Sequence, residues 1–337
     1  MKTMSLAANL PGRWLEITDV PVIEPGRGEV LVRVAVCGVC RTDLHIVEGD
    51  IGATPSGLVP GHEAVGTVIR TGEGVNLLRT GDRVGVPWLH STCGLCEFCT
   101  TGRENLCRLK TFTGYTVNGG YAEYLLARED FTVPIAPGLS FRHAAPLLCS
   151  GIIGYRALKL VRPAPGGTLG IFGFGSSAHI TLQIASALGY DVRVVSRHAQ
   201  HLKLAMQLGA TQAIQATESN EDAFLTRGKM DAAIVFAPSG SVVRLALESV
   251  KAGGSVAVPA IHMNAISITD YEKHLFHEKR LFSVEANTRA DAHEFMRLAA
   301  RTRVRSVIKE FRLEDANAAL SELKAGEING SAVLLIT

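Results

Sequence analysis

The chain reads as a two-domain α/β protein, a β-rich first domain followed by a doubly wound parallel sheet. Three observations predict this. Residues 1–148 carry short apolar runs separated by Gly/Pro turns. Beyond Cys149 the pattern becomes strand–turn–helix repeated at short intervals. A length of 337 residues accommodates two domains, and a hydrophobic content of 47% supports a substantial core.

In the first part, Val30 to Val36 is apolar and rich in β-branched residues, and Pro25-Gly26, Glu73-Gly74, Gly81-Asp82 and Pro137-Gly138 punctuate the chain. In the second part, Thr168 to Phe172 is an apolar strand, followed by a tight turn at Gly173 to Gly175. Ala178 to Leu188 has helical spacing, Val192 to Val195 is a second strand, and His201 to Leu208 a second helix ended by Gly209. Asp231 to Phe236 and Ser255 to Val258 are strands, with Val242 to Val250 helical between them. Two helices, Asp291 to Arg301 and Leu313 to Lys324, precede a last apolar strand, Ala332 to Ile336, which the pattern allows to return to the first domain. The expected boundaries are 1–148, 149–287 and 288–337.

A formal charge of +2, without a basic run, excludes a dedicated nucleic-acid binder. Met1 to Leu10 lacks a cleavage-site pattern and no apolar run reaches membrane-spanning length, so the expectation is a cytoplasmic protein that contacts no membrane. Seven cysteines are an odd number, and four of them lie between Cys93 and Cys107. Such clustering suits a metal site better than a disulfide framework.

Cys93-x2-Cys96-x2-Cys99-x7-Cys107 is the most specific motif. Four thiolates wrap Zn²⁺ tetrahedrally and leave no open position, so this metal holds a loop together. Gly94 and Gly102 let the backbone turn around it. Cys40, the pair His62-Glu63, and Cys149 are isolated metal-type residues. Taken singly, Cys149 also reads as an ordinary buried cysteine and His62 as a core histidine. Asp43 is placed to accept the second N–H of His62, or to cap a turn. Thr42 and His45 offer a hydroxyl and an imidazole nearby. His274 and His277 precede Glu278 in an order that is not a metalloprotease motif; they are expected on a helix surface.

Gly173-Phe174-Gly175-Ser176-Ser177-Ala178 follows a strand and opens a helix, the context that a dinucleotide fingerprint requires. The glycines allow the turn and the approach of a pyrophosphate, and Ala178 replaces the third glycine. An acid closing the second strand would select NAD. This strand instead ends in Ser196-Arg197-His198, which leans to NADP(H) over NAD(H).

Together these segments resemble the zinc-containing alcohol dehydrogenases of the medium-chain dehydrogenase/reductase superfamily, over essentially the whole chain. Gly61-His62-Glu63-Ala64-Val65-Gly66 with Gly72 and Val75 is similar to the family's zinc signature. Gly38-Val39-Cys40-Arg41-Thr42-Asp43-Leu44-His45 is similar to the segment that brings the first ligand and the proton relay. The resemblance implies a GroES-like β domain and a Rossmann domain. It implies two zinc ions per subunit, the catalytic one on Cys40, His62 and Cys149 with Glu63 beside it. The Cys2His ligand set is that documented for alcohol dehydrogenase and is carried over from it. It further implies that Thr42 takes the alcohol proton and passes it through the cofactor ribose towards His45, that Trp88 walls the pocket, and that the chain forms a homo-oligomer, a tetramer or dimer. Trp88 points to short or unbranched primary alcohols, with an aldehyde or ketone as product. Where many relatives carry a phosphate-contacting arginine, this chain has Ser331.

Three other readings stand beside this one. A polyol dehydrogenase of the same superfamily would often have a carboxylate in place of Cys149. An NADPH-dependent aldehyde reductase suits Ser196-Arg197. A non-catalytic, nucleotide-binding redox sensor would be expected to lose Cys40, His62 or Thr42, all of which are present.

Overall fold

A computed structural model describes residues 1–7, 14–52, 54–216 and 228–336. Residues 8–10 of the leading segment lie outside the described residues. The chain forms two compact units, Met1–Ile152 with Ala286–Thr337, and Ile153–Glu285.

In the first unit, β1 (Lys2–Leu6) and β2 (Leu15–Asp19) form an antiparallel pair. Then come β3 (Glu29–Val39), helix α1 (Arg41–Glu48), β4 (Ala64–Thr71), β5 (Arg83–Val86), β6 (Leu89–Ser91), the short helix α2 (Glu97–Thr100), β7 (Thr111–Phe112), β8 (Tyr124–Arg128), β9 (Val133–Pro134) and α3 (Phe141–Ala144); α4 (Ser150–Val161) begins here and belongs mostly to the second unit. β3 is the spine of a seven-stranded sheet. One of its edges pairs with β4; the other is shared, Glu29–Arg33 with β8 and Val36–Val39 with the last strand of the chain. Val30, Val32 and Val34 of β3 are fully buried with Val68, Val84, Leu125 and Leu334. This central position accounts for the nearly continuous apolar run.

The second unit is a six-stranded, all-parallel sheet. It contains β10 (Thr168–Phe172), α5 (Ser176–Ala187), β11 (Asp191–Ser196), α6 (Ala199–Gln207), β12 (Gln212–Gln215), β13 (Met230–Val235), α7 (Gly240–Ser249), β14 (Val250–Val258) and β15 (Arg280–Ser283). Strand order is β12-β11-β10-β13-β14-β15. The chain starts at β10, winds out to β12, then returns to β13 and winds the other way, so the switch point lies at the carboxyl ends of β10 and β13. Open α/β sheets bind nucleotides there. The chain then rejoins the first unit through α8 (Arg289–Thr302), β16 (Ile308–Arg312), α9 (Ala316–Ala325) and β17 (Ser331–Leu335), the last pairing with β3.

Several elements differ from expectation. α1 lies in a region expected to be mostly strand. It forms because Asp43, in its first turn, accepts the Cys40 N–H at 2.8 Å, while Gly49 at φ +78° terminates it. β12, β15 and β16 were not anticipated; they are short strands with mixed polarity, all three at sheet edges. His274 is a correction. It is 1% exposed, and its Nε2 lies 2.8 Å from Glu248 Oε1. A single π-helical turn over Glu272–Phe276 turns it inward, while His277 is exposed.

Candidate active site and metal centres

β3 delivers Cys40 to the start of α1, the loop before β4 carries His62 and Glu63, and Cys149 sits at the start of α4. The ligand atoms of Cys40, His62, Glu63 and Cys149 all lie within 4.8 Å of one another. Cys40 Sγ and Cys149 Sγ are 4.0 Å apart. Between them lies one S–H···S hydrogen bond. The hydrogen bond from Cys149 holds Cys40 well below the usual thiol range, and the same contact, with burial, pushes Cys149 well above it. A cation drawn between them would replace that proton.

His62 is fully buried, and its Nδ1 lies 3.0 Å from Asp43 Oδ1. Burial pushes the imidazole pKa down, but Asp43 and Cys40 outweigh this and hold it well above the ordinary value. The Nε2 atom is buried and has no hydrogen-bond partner. A buried imidazole nitrogen without a partner is costly unless a metal takes its lone pair. That atom, beside two thiols, fits Zn²⁺ in donor type and number, and three ligands leave a fourth position.

Asp43 is itself fully buried and surrounded by donors. Its Oδ1 accepts from Gly61 N at 3.2 Å as well as from His62, and its Oδ2 from Cys40 N at 2.8 Å and Tyr121 Oη at 3.1 Å. Glu63 is held by Ser150, whose N and Oγ lie 3.1 and 3.2 Å from Glu63 Oε1. Burial and the nearby Cys40 raise the Glu63 pKa well above the ordinary carboxylate value.

Thr42 Oγ1 is 3.7 Å from Cys40 Sγ. His45, three residues further along α1 on the same face, has its Nδ1 2.7 Å from Asp50 Oδ2. Trp88 is 8% exposed. Its ring meets His62 edge-on at 4.8 Å and stacks on Phe112 at 4.7 Å and Tyr115 at 5.9 Å. Tyr121, Ser150, Asp50 and the two aromatic partners of Trp88 were not singled out in the sequence. None belongs to a recognisable motif; Asp50 is a local partner five residues beyond His45, and the others reach the site through contacts distant in sequence.

The four cysteines of the lobe also converge. Sulfur separations are 3.8 Å for Cys93–Cys99, 3.5 Å for Cys96–Cys99 and 3.6 Å for Cys93–Cys107. A tetrahedron with Zn–S of roughly 2.3 Å has edges of about 3.8 Å. Amide N–H groups of Leu95 and Cys96 aimed at Cys93 lower its pKa to about 6, which favours the thiolate that a metal requires.

In the second unit, Gly173 has φ +84°, and a Cβ there would lie 2.8 Å from Ala237 N, so the turn and the close packing both require glycine. Gly175 opens α5 in an extended conformation, and a Cβ there would meet no protein atom within 4 Å. The space before the helix N-terminus is therefore open to a phosphate group. Ser176 and Ser177 form the first turn, and Ala178 is fully buried against the sheet. At the end of β11, Ser196 Oγ lies 3.4 Å from both His201 Nδ1 and His198 N, and Arg197 is exposed. Ser331 is 1% exposed at the start of β17.

Comparison with known proteins agrees with this geometry. Residues 26–137 match the family model described as the alcohol dehydrogenase GroES-like domain, and residues 178–301 match that described as zinc-binding dehydrogenase. The chain is 45% identical over 327 residues to "Probable alcohol dehydrogenase AdhA" of Mycobacterium tuberculosis, covering 96% of this chain and 93% of that protein. Among solved structures, a cinnamyl alcohol dehydrogenase from Sorghum bicolor superposes with a TM-score of 0.90 at 27% identity, covering 99% and 97% of the two chains. An alcohol dehydrogenase from Aeropyrum pernix gives 0.89 at 27% identity over the full length of both.

The β-rich unit with its buried Cys/His cluster and the doubly wound nucleotide-type sheet thus define a metal-assisted dehydrogenase of the GroES-like plus Rossmann class. The chain belongs to the zinc-containing alcohol dehydrogenases of the medium-chain dehydrogenase/reductase superfamily, which use zinc and a nicotinamide cofactor to interconvert small-molecule alcohols and carbonyl compounds. No single helix among the described residues is long and apolar enough to cross a membrane.

Proposed function

We propose that Cys40, His62 and Cys149 hold a catalytic zinc, that the Cys93/Cys96/Cys99/Cys107 lobe holds a second, structural zinc, and that the enzyme oxidises short or unbranched primary alcohols with NADP⁺. The observation that carries this reading is His62 Nε2, buried and unpartnered beside two thiols. When bound, zinc supplies Lewis acidity towards the alcohol oxygen, and the nicotinamide accepts hydride.

The side chains supply the rest. Asp43 keeps the proton of His62 on Nδ1, so that Nε2 presents its lone pair. Thr42 takes the alcohol proton at Oγ1. His45, braced by Asp50, hands a proton to solvent at the outer end of α1. Trp88, pinned in its aromatic stack, occupies volume beside His62 and favours slender substrates. Gly173, Gly175 and the first turn of α5 receive the pyrophosphate, and Ser196 with Arg197 admits a 2′-phosphate because no acid repels it. We read residues 1–148 and 288–337 as the catalytic part, 149–287 as the cofactor domain, and the working form as a cytoplasmic homo-oligomer, a tetramer or dimer.

Metal analysis with kinetics tests the reading. The expected result is two zinc ions per chain, falling to one with loss of activity in a folded Cys149→Ala variant. A substrate panel with both cofactors should favour unbranched primary alcohols and NADP⁺. One zinc or none, or a higher kcat/KM with NAD⁺ or with bulky secondary alcohols, would contradict the corresponding part.

A further inference from the structure

Behind the Cys40/His62/Cys149 cluster lies a residue that no motif points to. Tyr121 is fully buried and has its hydroxyl 3.1 Å from Asp43 Oδ2. A carboxylate offers about four lone-pair positions, and Asp43 uses all four on donors: Gly61 N, His62 Nδ1, Cys40 N and Tyr121 Oη. Three of those donors belong to the two segments that carry Cys40 and His62. Tyr121 is the fourth, and it arrives from a separate stretch of chain. Its backbone is anchored twice, with its N–H on Pro60 O at 3.0 Å and its carbonyl on Met4 N at 2.8 Å.

The ring makes a second, independent contact with the same segment. Gly61, at φ +99°, lies so close that a Cβ there would come 2.4 Å from Tyr121 Cδ1. The tyrosine therefore sets the position of the backbone just before His62 by packing, and the orientation of the Asp43 carboxylate by hydrogen bonding. Removal of the hydroxyl leaves Oδ2 with Cys40 N as its remaining donor, in a pocket closed to solvent. The carboxylate is then held by three donors instead of four, and it places more of its charge on His62.

We propose that Tyr121 is a positioning residue for the metal, fixing Asp43, which in turn fixes the ring plane and tautomer of His62. This rests on the reading that Cys40, His62 and Cys149 bind zinc. Tyr121 touches neither metal nor substrate in this scheme; it acts through Asp43. Outer partners of ligand histidines commonly alter metal affinity or activity by about 10–100-fold, and a group one bond further out belongs at the lower end of that range.

The test uses the full-length enzyme with cobalt(II) replacing zinc. The visible spectrum of Cys149→Ala, which retains only the lobe metal, is subtracted from that of each other form to isolate the cluster. Tyr121→Phe keeps the ring against Gly61 and removes only the hydroxyl. The expected result is unchanged lobe metal, displaced cobalt bands at the cluster, and about tenfold easier removal of that metal by a competing chelator. In steady state, kcat should fall while the KM for cofactor stays at its wild-type value. Placing 3-fluorotyrosine at position 121 makes the hydroxyl a stronger donor at the same size, and should shift the bands in the opposite direction. It also serves as the test if the phenylalanine variant fails to fold. Wild-type bands and metal affinity in Tyr121→Phe would overturn the proposal, as would wild-type bands in the fluorinated protein. If wild type and Cys149→Ala take up equal cobalt with the same spectrum, the metal reading itself fails.

Discussion

Thr42 and His45 share one face of α1, a turn apart, with Thr42 close to the Cys40 sulfur and His45 at the exposed end beside Asp50. This arrangement separates two tasks. In the proposed proton path the inner hydroxyl, which is buried, would move the proton where water cannot substitute for it. The outer imidazole exchanges with solvent, which can. Thr42→Ala should therefore lower kcat by about 10²–10⁴-fold, the usual contribution of a positioned proton-transfer group, with the cofactor Kd nearly unchanged. His45→Gln should cost less and recover in part as buffer concentration rises. Single-turnover rates with cofactor binding measured in parallel check both; wild-type turnover by Thr42→Ala would remove it from the proton path.

At the scale of elements, the proposed NADP⁺ preference rests on the end of β11, and a pH response on α5. The β11 terminus has a serine where an acid would repel a 2′-phosphate, followed by an exposed arginine. Arg197→Ala should weaken NADP⁺ binding by about 1.5–3 kcal/mol, the worth of a hydrogen bond to a charged group, and leave NAD⁺ binding almost unchanged. Ser196→Asp should turn the preference towards NAD⁺. Isothermal titration of each variant with both cofactors decides this. Within α5, His179 is fully buried, with Nδ1 3.3 Å from Gly175 O, and burial lowers its pKa from 6.5 to about 4. The unfolded chain binds this proton below pH 6.5 and the folded chain does not, so stability falls as pH drops through the window from 6.5 to 4. Between pH 7.5 and 5 the loss from this residue is about 2 kcal/mol. Denaturant unfolding at the two pH values should show that loss in wild type and a smaller one in His179→Gln; equal losses would show that His179 is not the source.

At the scale of the whole molecule, all eight residues of the two main Cys/His clusters belong to the first unit, and the six-stranded sheet contains none of them. Metal removal should therefore act unevenly. Hydrogen exchange on chelator-treated protein should show protection lost around Cys93–Cys107 and at α1, while β10, β11 and β13 keep theirs. The lobe should respond most strongly, because the proposed structural zinc would tie together four sulfurs carried on a loop with little regular structure. Equal loss in both units would show that metal binding supports the entire fold.

Much of this was legible in the sequence because it is local. Strand and helix periods repeat over a few residues, so Thr168–Phe172 was placed to the residue and α5, β11 and α7 within about two. The lobe is legible for the same reason, since its four sulfurs fall within a single loop. Cys40, His62 and Cys149 could be grouped in advance only through resemblance to a family. No spacing rule unites residues so far apart, and each alone reads equally well as core. Their meeting was decided by the pairing of β3 with β4, β8 and β17, which folds distant segments onto one strand. His274 was moved inward by a different means: a π-helical turn, not sheet register, buries it beside Glu248. Tyr121 is the clearest case of what only tertiary structure decides. Its contact with Asp43 spans 78 positions, and hydrogen bonds that a buried carboxylate needs can be supplied from anywhere in the chain that packing brings within reach.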